Sequence, residues 1–282
     1  MSKKIIVLTF VFVLLVSCIK LFGSDLQTIE ERTFSISPGK NLKLDVTSGG
    51  VSVTSWDKDQ VYIKILGNDK AEEKIEFRFY NDDDKVELIA KRKHWLFDWF
   101  SSGIKLHYEV KVPEKFNIKV ETGGGSIYTA DVAGDLNLST SGGSITFENV
   151  EGEFDVSTSG GSITGTNFKG NLNASTSGGS LNFKGTDSKI KAETSGGSIT
   201  LDYEGINKGI FLSTSGGGIR IILPDDFNAS AKLYTSGGGI SCDLTANNAR
   251  KISHNEFVAD LNKGGNPLYA ETSGGSISIV GK

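Results

Sequence analysis

The phrase Thr140-Ser-Gly-Gly-Ser-Ile-Thr146 returns at Thr158 and at Thr194, and returns nearly unchanged at Thr176. Counting all near-copies, it opens at Thr47, Thr122, Thr140, Thr158, Thr176, Thr194, Thr214, Thr235 and Thr272. The successive gaps are 75, 18, 18, 18, 18, 20, 21 and 37 residues. A fixed period near 20 is the mark of a chain built from stacked units, each too small to bury its own apolar face. The gap of 37 reads as two periods with one degenerate copy, and the gap of 75 as four.

Within one period the apolar positions alternate. Leu136, Leu138 and Thr140 share one parity before the glycines, and Ile145 and Phe147 share another after them. Phe154, Val156, Thr158 and Ile163 repeat the pattern. Period-two alternation over about five residues means a strand with one buried face, and no helical window is visible. Each period therefore predicts two short strands joined at Ser-Gly-Gly, with a second turn near Asn149-Val-Glu-Gly152. Short strands recurring this often can pair only if each coil stacks on the one before. The fold class expected is all-β: a single-stranded parallel β-helix, or β-solenoid, with rungs of about 18 residues. In that fold the Gly-Gly pair supplies the φ > 0 of a sharp corner. The corner set is Thr140, Gly142 and Gly143; Thr158, Gly160 and Gly161; Thr176, Gly178 and Gly179; and Thr194, Gly196 and Gly197. The threonines are expected inward, with hydroxyls bonded to the corner backbone, while Ser139 and Ser141 face outward or cap the turn.

A phosphate-binding loop needs Gly-rich sequence followed by Lys-Ser/Thr, or G-x-G-x-x-G between a strand and a helix; neither occurs. Calcium-binding nonapeptide repeats carry an aspartate in every copy, whereas these copies continue Gly-Gly-Ser-Ile-Thr. His94, His107 and His254 lack metal-ligand spacing, and no G-x-S-x-G elbow gives any serine a nucleophilic setting. The acidic clusters Asp82-Asp83-Asp84 and Asp225-Asp226 sit between strand-like segments and read as turns. No catalytic, cofactor-binding or metal-ligating set is expected. With 30 basic and 34 acidic residues, net charge advertises no face for nucleic acid.

The N-terminus points to export. A basic Met-Ser-Lys-Lys precedes an apolar run from Ile5 to Val16, ending in Leu15-Val-Ser-Cys18. This is the pattern of an export signal with a lipobox-like end, so residues 1–24 are assigned to signal and tether, with Cys18 the lipidation candidate and the membrane contact. Cleavage near Gly23 or Ser24 is the alternative. Loss of Cys18 from the mature chain leaves Cys242 without an intrachain partner. Cys242 shares parity with Ile240 and is expected to be a buried, unreactive thiol.

Residues 25–282 are expected to form one solenoid domain, with an antiparallel hairpin excursion over residues 70–112 and an irregular rung over 246–270. The excursion holds Trp95, Phe97, Trp99 and Phe100, which read either as a seal over the N-terminal rungs or as an exposed candidate contact for a partner. The opening Thr47-Ser-Gly-Gly-Val-Ser-Val-Thr-Ser-Trp56-Asp57 and the run Tyr108-Glu-Val-Lys-Val-Pro113 resemble those of the bacterial "putative adhesin" family of unknown function. The resemblance covers residues 33–282 and implies an exported or envelope-anchored β-helix; it carries no catalytic residues. The function expected is that of a non-enzymatic cell-envelope interaction module, presenting a rigid surface to a polysaccharide, another envelope polymer or a protein. The alternatives are a scaffold or stress-response component that binds one protein through the Trp95 region, and a polysaccharide-active enzyme on a β-helix.

Overall fold

The computed structural model describes residues 26–93 and 103–282. They are almost entirely β: 22 strands hydrogen-bond into one sheet that coils on itself as a parallel solenoid. Alternation sets the inside. Leu136, Leu138, Thr140, Ile145 and Phe147 are all buried, and their equivalents stack above and below them in register.

The second turn is a bend within the strand. Ile145–Thr158, Ile163–Thr176 and Leu181–Thr194 each run for 14 residues through it. Left-handed backbone makes the bend, at Asn149 (φ 53°) and at Gly152 (φ 150°). Asn and Asp tolerate that conformation because a short polar side chain bonds locally, and here they stack. Asn149 Nδ2 donates to Asp131 Oδ1 at 2.9 Å, and Asn167 Nδ2 donates to Asn149 Oδ1 at 2.8 Å. Inside the bend, Phe147, Phe154, Phe168 and Phe183 pack with ring centroids 5.6 to 6.3 Å apart. Gly165 faces this cluster, and a Cβ there would lie 2.3 Å from Phe147 Cζ. The neighbouring ring fills the space, which keeps the interior close-packed.

Chain order and spatial order part company at both ends. Asn41–Val46 lies between Lys85–Arg92 and Asn117–Thr122, parallel to both. At the far end Pro267–Thr272 lies between Ile210–Thr214 and Ala229–Thr235. Its continuation Ile277–Gly281 lies between Ile219–Leu223 and Ile240–Cys242. The gaps of 75 and 37 are therefore not skipped periods. In each the chain leaves a rung, builds the end of the rod, and returns. The reason is physical: an open parallel edge invites pairing with other chains, and antiparallel strands cover it. Ile75–Asn81 covers Lys85–Arg92, and Gln27–Ser35 with Gln60–Gly67 covers Leu106–Pro113. Opposite, the hairpin of Ala246–Ile252 and Glu256–Leu261 covers Ala229–Thr235. The N-terminal hairpin thus has a double role, because its second strand is also the outermost parallel rung.

One helix interrupts this, contrary to the sequence reading. Asp69–Lys74 turns because Asn68 Oδ1 accepts from Ala71 N at 3.1 Å and Ala71 is buried. Six residues are too few to show helical periodicity.

The returning C-terminal segment is fastened where it enters. Buried Asn207 donates from Nδ2 to Asn266 O at 2.8 Å, and Asn266 Nδ2 donates back to Asn207 O at 2.8 Å. Asn207→Ala leaves buried backbone groups unpaired, at a cost of about 1–3 kcal/mol. The expected outcome in hydrogen-exchange mass spectrometry is faster exchange over residues 229–282, with residues 136–194 unchanged.

Candidate functional site

The corners come first, because they decide which atoms remain free to act. Thr140 Oγ1 donates to Gly125 O at 2.8 Å, and Thr158, Thr176 and Thr194 donate to Gly143, Gly161 and Gly179, each at 2.8 Å. Each hydroxyl also accepts from the second glycine of its own corner, as Gly161 N does to Thr158 Oγ1 at 3.4 Å. The relay follows spatial order: Thr214 donates to Gly197, Thr272 to Gly217 and Thr235 to Gly275. A parallel ladder runs through the serines, with Ser162 N donating to Ser144 Oγ at 3.2 Å and Ser180 N to Ser162 Oγ at 3.1 Å.

The glycines are needed for a different reason from the one expected. None of Gly142, Gly143, Gly160, Gly161, Gly178, Gly179, Gly196 or Gly197 has positive φ; in the first copy Gly49 does, at 111°. Close approach decides instead. A Cβ on Gly143, Gly161, Gly179 or Gly197 would lie 1.9 to 2.2 Å from the carbonyl oxygen of the same glycine one rung earlier. A Cβ on Gly160 would meet nothing nearer than 3.7 Å. With hydroxyls and backbone committed to each other, the corner offers a ligand little.

The outward face of the strands before the corner is different. Register places Asn117, Asp135, Glu153, Asn171 and Lys189 in one row. Lys119, Asn137, Asp155, Asn173 and Lys191 form a second row beside it. Between the rows runs a trough. One hollow of about 680 Å³ spans Asn41, Lys43, Asn117 and Lys119, and another of about 620 Å³ spans Glu153, Asp155, Asn171 and Lys191. They share Asp135 and Asn137, so they adjoin as one shallow, open trough along the axis.

Its polar groups are ordered across rungs. Asn171 Nδ2 donates to Glu153 Oε1 at 2.7 Å, Asn173 Nδ2 to Asp155 Oδ1 at 3.1 Å, and Asn117 Nδ2 to Asn41 Oδ1 at 3.2 Å. Most of the cations along it are paired, Lys43 and Lys85 with Glu87 at 2.8 and 2.9 Å, Lys119 with Glu121 at 2.9 Å, and Lys191 with Glu193 at 3.1 Å, while Lys189 has no carboxylate partner among the described residues. The two lysines hold the Glu87 carboxyl below its ordinary range. Beyond Lys191 the second row turns aromatic, as Phe211 and then Tyr269. Tyr234 packs beside Tyr269 with centroids 6.0 Å apart. Tyr269 Oη donates to Glu271 Oε2 at 2.5 Å, which pushes the phenol up to about 12.

Other sequence candidates fall as follows. Cys18, His94, Trp95, Phe97, Trp99 and Phe100 lie outside the described residues. The cluster at Asp82 is a turn, with Asp82 Oδ1 accepting from Asp84 N and Lys85 N, each at 2.9 Å, and it closes one end of the trough. Asp225 and Asp226 lie in the turn closed by Phe227 N donating to Pro224 O at 3.0 Å. Cys242 is half-buried, because it sits on the last rung, and burial raises its thiol pKa. Among the described residues no three His, Cys, Asp or Glu are grouped to hold a metal. The trough itself escaped the sequence reading. Its signal was present in Asp135-Leu-Asn-Leu, Glu153-Phe-Asp-Val, Asn171-Leu-Asn-Ala and Lys189-Ile-Lys-Ala, which align at the repeat spacing with polar residues on the outer parity.

A family model described as Toastrack DUF4097 matches residues 39–280. Among solved structures the chain is similar to a "putative cell adhesion protein" from Clostridium sporogenes ATCC 15579, at 15% identity over 91% of this chain and 100% of that one, with a TM-score of 0.35. It is similar to a "putative adhesin" from Bacteroides fragilis NCTC 9343, at 10% identity over 90% and 97%, TM-score 0.37. A "putative lipid binding protein" from Parabacteroides distasonis ATCC 8503 matches at 13% identity over 89% and 96%, TM-score 0.38. No curated protein matches the sequence.

The corner geometry separates two adjacent glycines. Gly161→Ala is expected to destabilise by about 1–3 kcal/mol through overpacking, and Thr158→Val by a similar ~1–3 kcal/mol through unpaired polar groups. Gly160→Ala is expected to stay within about 0.5 kcal/mol of wild type. Thermal and denaturant melts of the three variants check the order.

Proposed function

The chain belongs to the Toastrack DUF4097 family, and from that premise we propose that it is a non-enzymatic, exported interaction module that holds an extended polymer along its rod. The observation that carries this reading is the continuity of the axial trough, whose two hollows join at Asp135 and Asn137. A trough that repeats its chemistry rung after rung suits a partner that repeats along its own length. Weak contacts then sum, because each added unit binds at high effective concentration.

The rigid corners serve the same end. With the rungs locked in register, the outward rows are pre-ordered, and little side-chain freedom is lost on binding. Attachment to the envelope is assigned to the N-terminus, through lipid on Cys18. Among the described residues no helix is long and apolar enough to cross a membrane.

The reading makes length the decisive variable. A long envelope polymer is expected to bind about 10²–10⁴-fold more tightly than its own short oligomers. Replacing the Asn173–Asp155 amide–carboxylate pair with an ion pair of its own, as Asp155→Lys with Asn173→Glu, is expected to abolish binding without moving the melting temperature. Co-sedimentation and calorimetry with size-fractionated polymer check both. Equal affinity for short and long forms, or full binding by the trough variant, contradicts the reading.

A further inference from the structure

The trough chemistry narrows the partner. We infer that the trough and the Phe211–Tyr269 strip form one array of subsites for a neutral, extended polysaccharide lying along the rod axis; this rests on the polymer-holding reading above. Lys43 and Lys85 share Glu87, Lys119 holds Glu121 and Lys191 holds Glu193, which leaves Lys189 as the one lining lysine among the described residues without a carboxylate partner. Asp135, Glu153 and Asp155 face the trough beside amides. A polyanion would meet these carboxylates with few free cations to offset them, and like charges brought together oppose binding.

Each amide–carboxylate pair spends one amide hydrogen and one carboxylate lone pair on its neighbour. The remaining hydrogen of Asn171 or Asn173 and the remaining oxygens of Glu153 and Asp155 are left for a ligand. Donors and acceptors thus alternate along the trough. A sugar hydroxyl is both donor and acceptor, and it can satisfy such a wall without bringing charge.

Rungs are spaced by the strand separation of about 4.7–4.9 Å, close to the length of one pyranose in an extended chain. One sugar per rung keeps successive sugars in step with successive rungs. Then the row changes character: Phe211, 37% exposed, follows Lys191, and Tyr269 follows Phe211. An exposed Phe211 ring and a half-buried Tyr269 ring in line with a polar trough suit the C–H face of a sugar, which is apolar while its rim is not. The tether from Tyr269 to Glu271 restrains one of these rings.

The test uses the intact protein with two probes: a soluble linear neutral β-glucan and a linear polyuronate of matched length. Affinity electrophoresis and calorimetry are expected to show binding of the glucan and none of the polyuronate. Tyr269→Ala is expected to weaken glucan binding about tenfold, and Asn173→Ala to weaken it measurably. Thr200→Ala, on the outward side of the strands after the corner, should leave it unchanged. Melting temperatures equal to wild type exclude misfolding as the cause. Binding of the polyuronate alone overturns this inference and leaves the polymer-holding reading standing. Glucan binding that survives Tyr269→Ala and Asn173→Ala in folded protein overturns the site. Binding of neither probe overturns the inference, and separate trials with envelope polymers then decide the broader reading.

Discussion

Everything in this rod depends on one contact: a threonine hydroxyl that donates to a glycine carbonyl one rung away, as Thr158 does to Gly143. The contact settles a conflict. A buried hydroxyl needs a partner, and a sharp corner leaves backbone groups unpaired. Bringing the two together solves both, provided nothing stands between them. That proviso dictates the second glycine, since a Cβ on Gly161 would lie 2.0 Å from the Gly143 oxygen. Thr and Gly are thus two halves of one device, and repetition of the device sets the register of every strand between corners.

With register fixed from inside, the outer surface is released from structural duty. Side chains on the outer parity need only be compatible with a strand, and the chain has used that freedom to lay amides and carboxylates beside each other. Asn173 meets Asp155, and Asn171 meets Glu153, because the corners place them one rung apart. Under the proposed reading, binding and stability therefore occupy opposite faces of the same strands. Substitutions at Asp155 and at Val156 should be read on different scales, although the residues are neighbours in the chain.

The central rungs were legible because their cause is local. Alternation at Leu136, Leu138 and Thr140, followed by Ile145 and Phe147, needs only neighbouring residues to be read. What escaped was set by distant parts of the chain. Nothing near residue 41 says that it will pair with both residue 85 and residue 117, and nothing near residue 267 announces a slot between rungs already built. The corner glycines were misread for the same reason. Positive φ is a property of one residue, while a carbonyl at 2.0 Å belongs to the rung below. The trough was half visible: polar residues on the outer parity could be seen, but a trough between two rows exists only once the rungs are stacked. The end aromatics Phe211 and Tyr269 lie 58 residues apart in the chain and become neighbours only through the returning C-terminal segment.

The central claim is that the corners are closed hydrogen-bonded relays rather than exposed turns. Site-resolved amide hydrogen exchange tests it most directly, at Gly143, Gly161 and Gly179 and at Ser162 and Ser180. If the relays hold, these amides exchange as slowly as those of Leu138 and Val156 in the buried strands, opening only with the rod itself. Exchange orders of magnitude faster at the corners, with the strands still protected, would contradict the account.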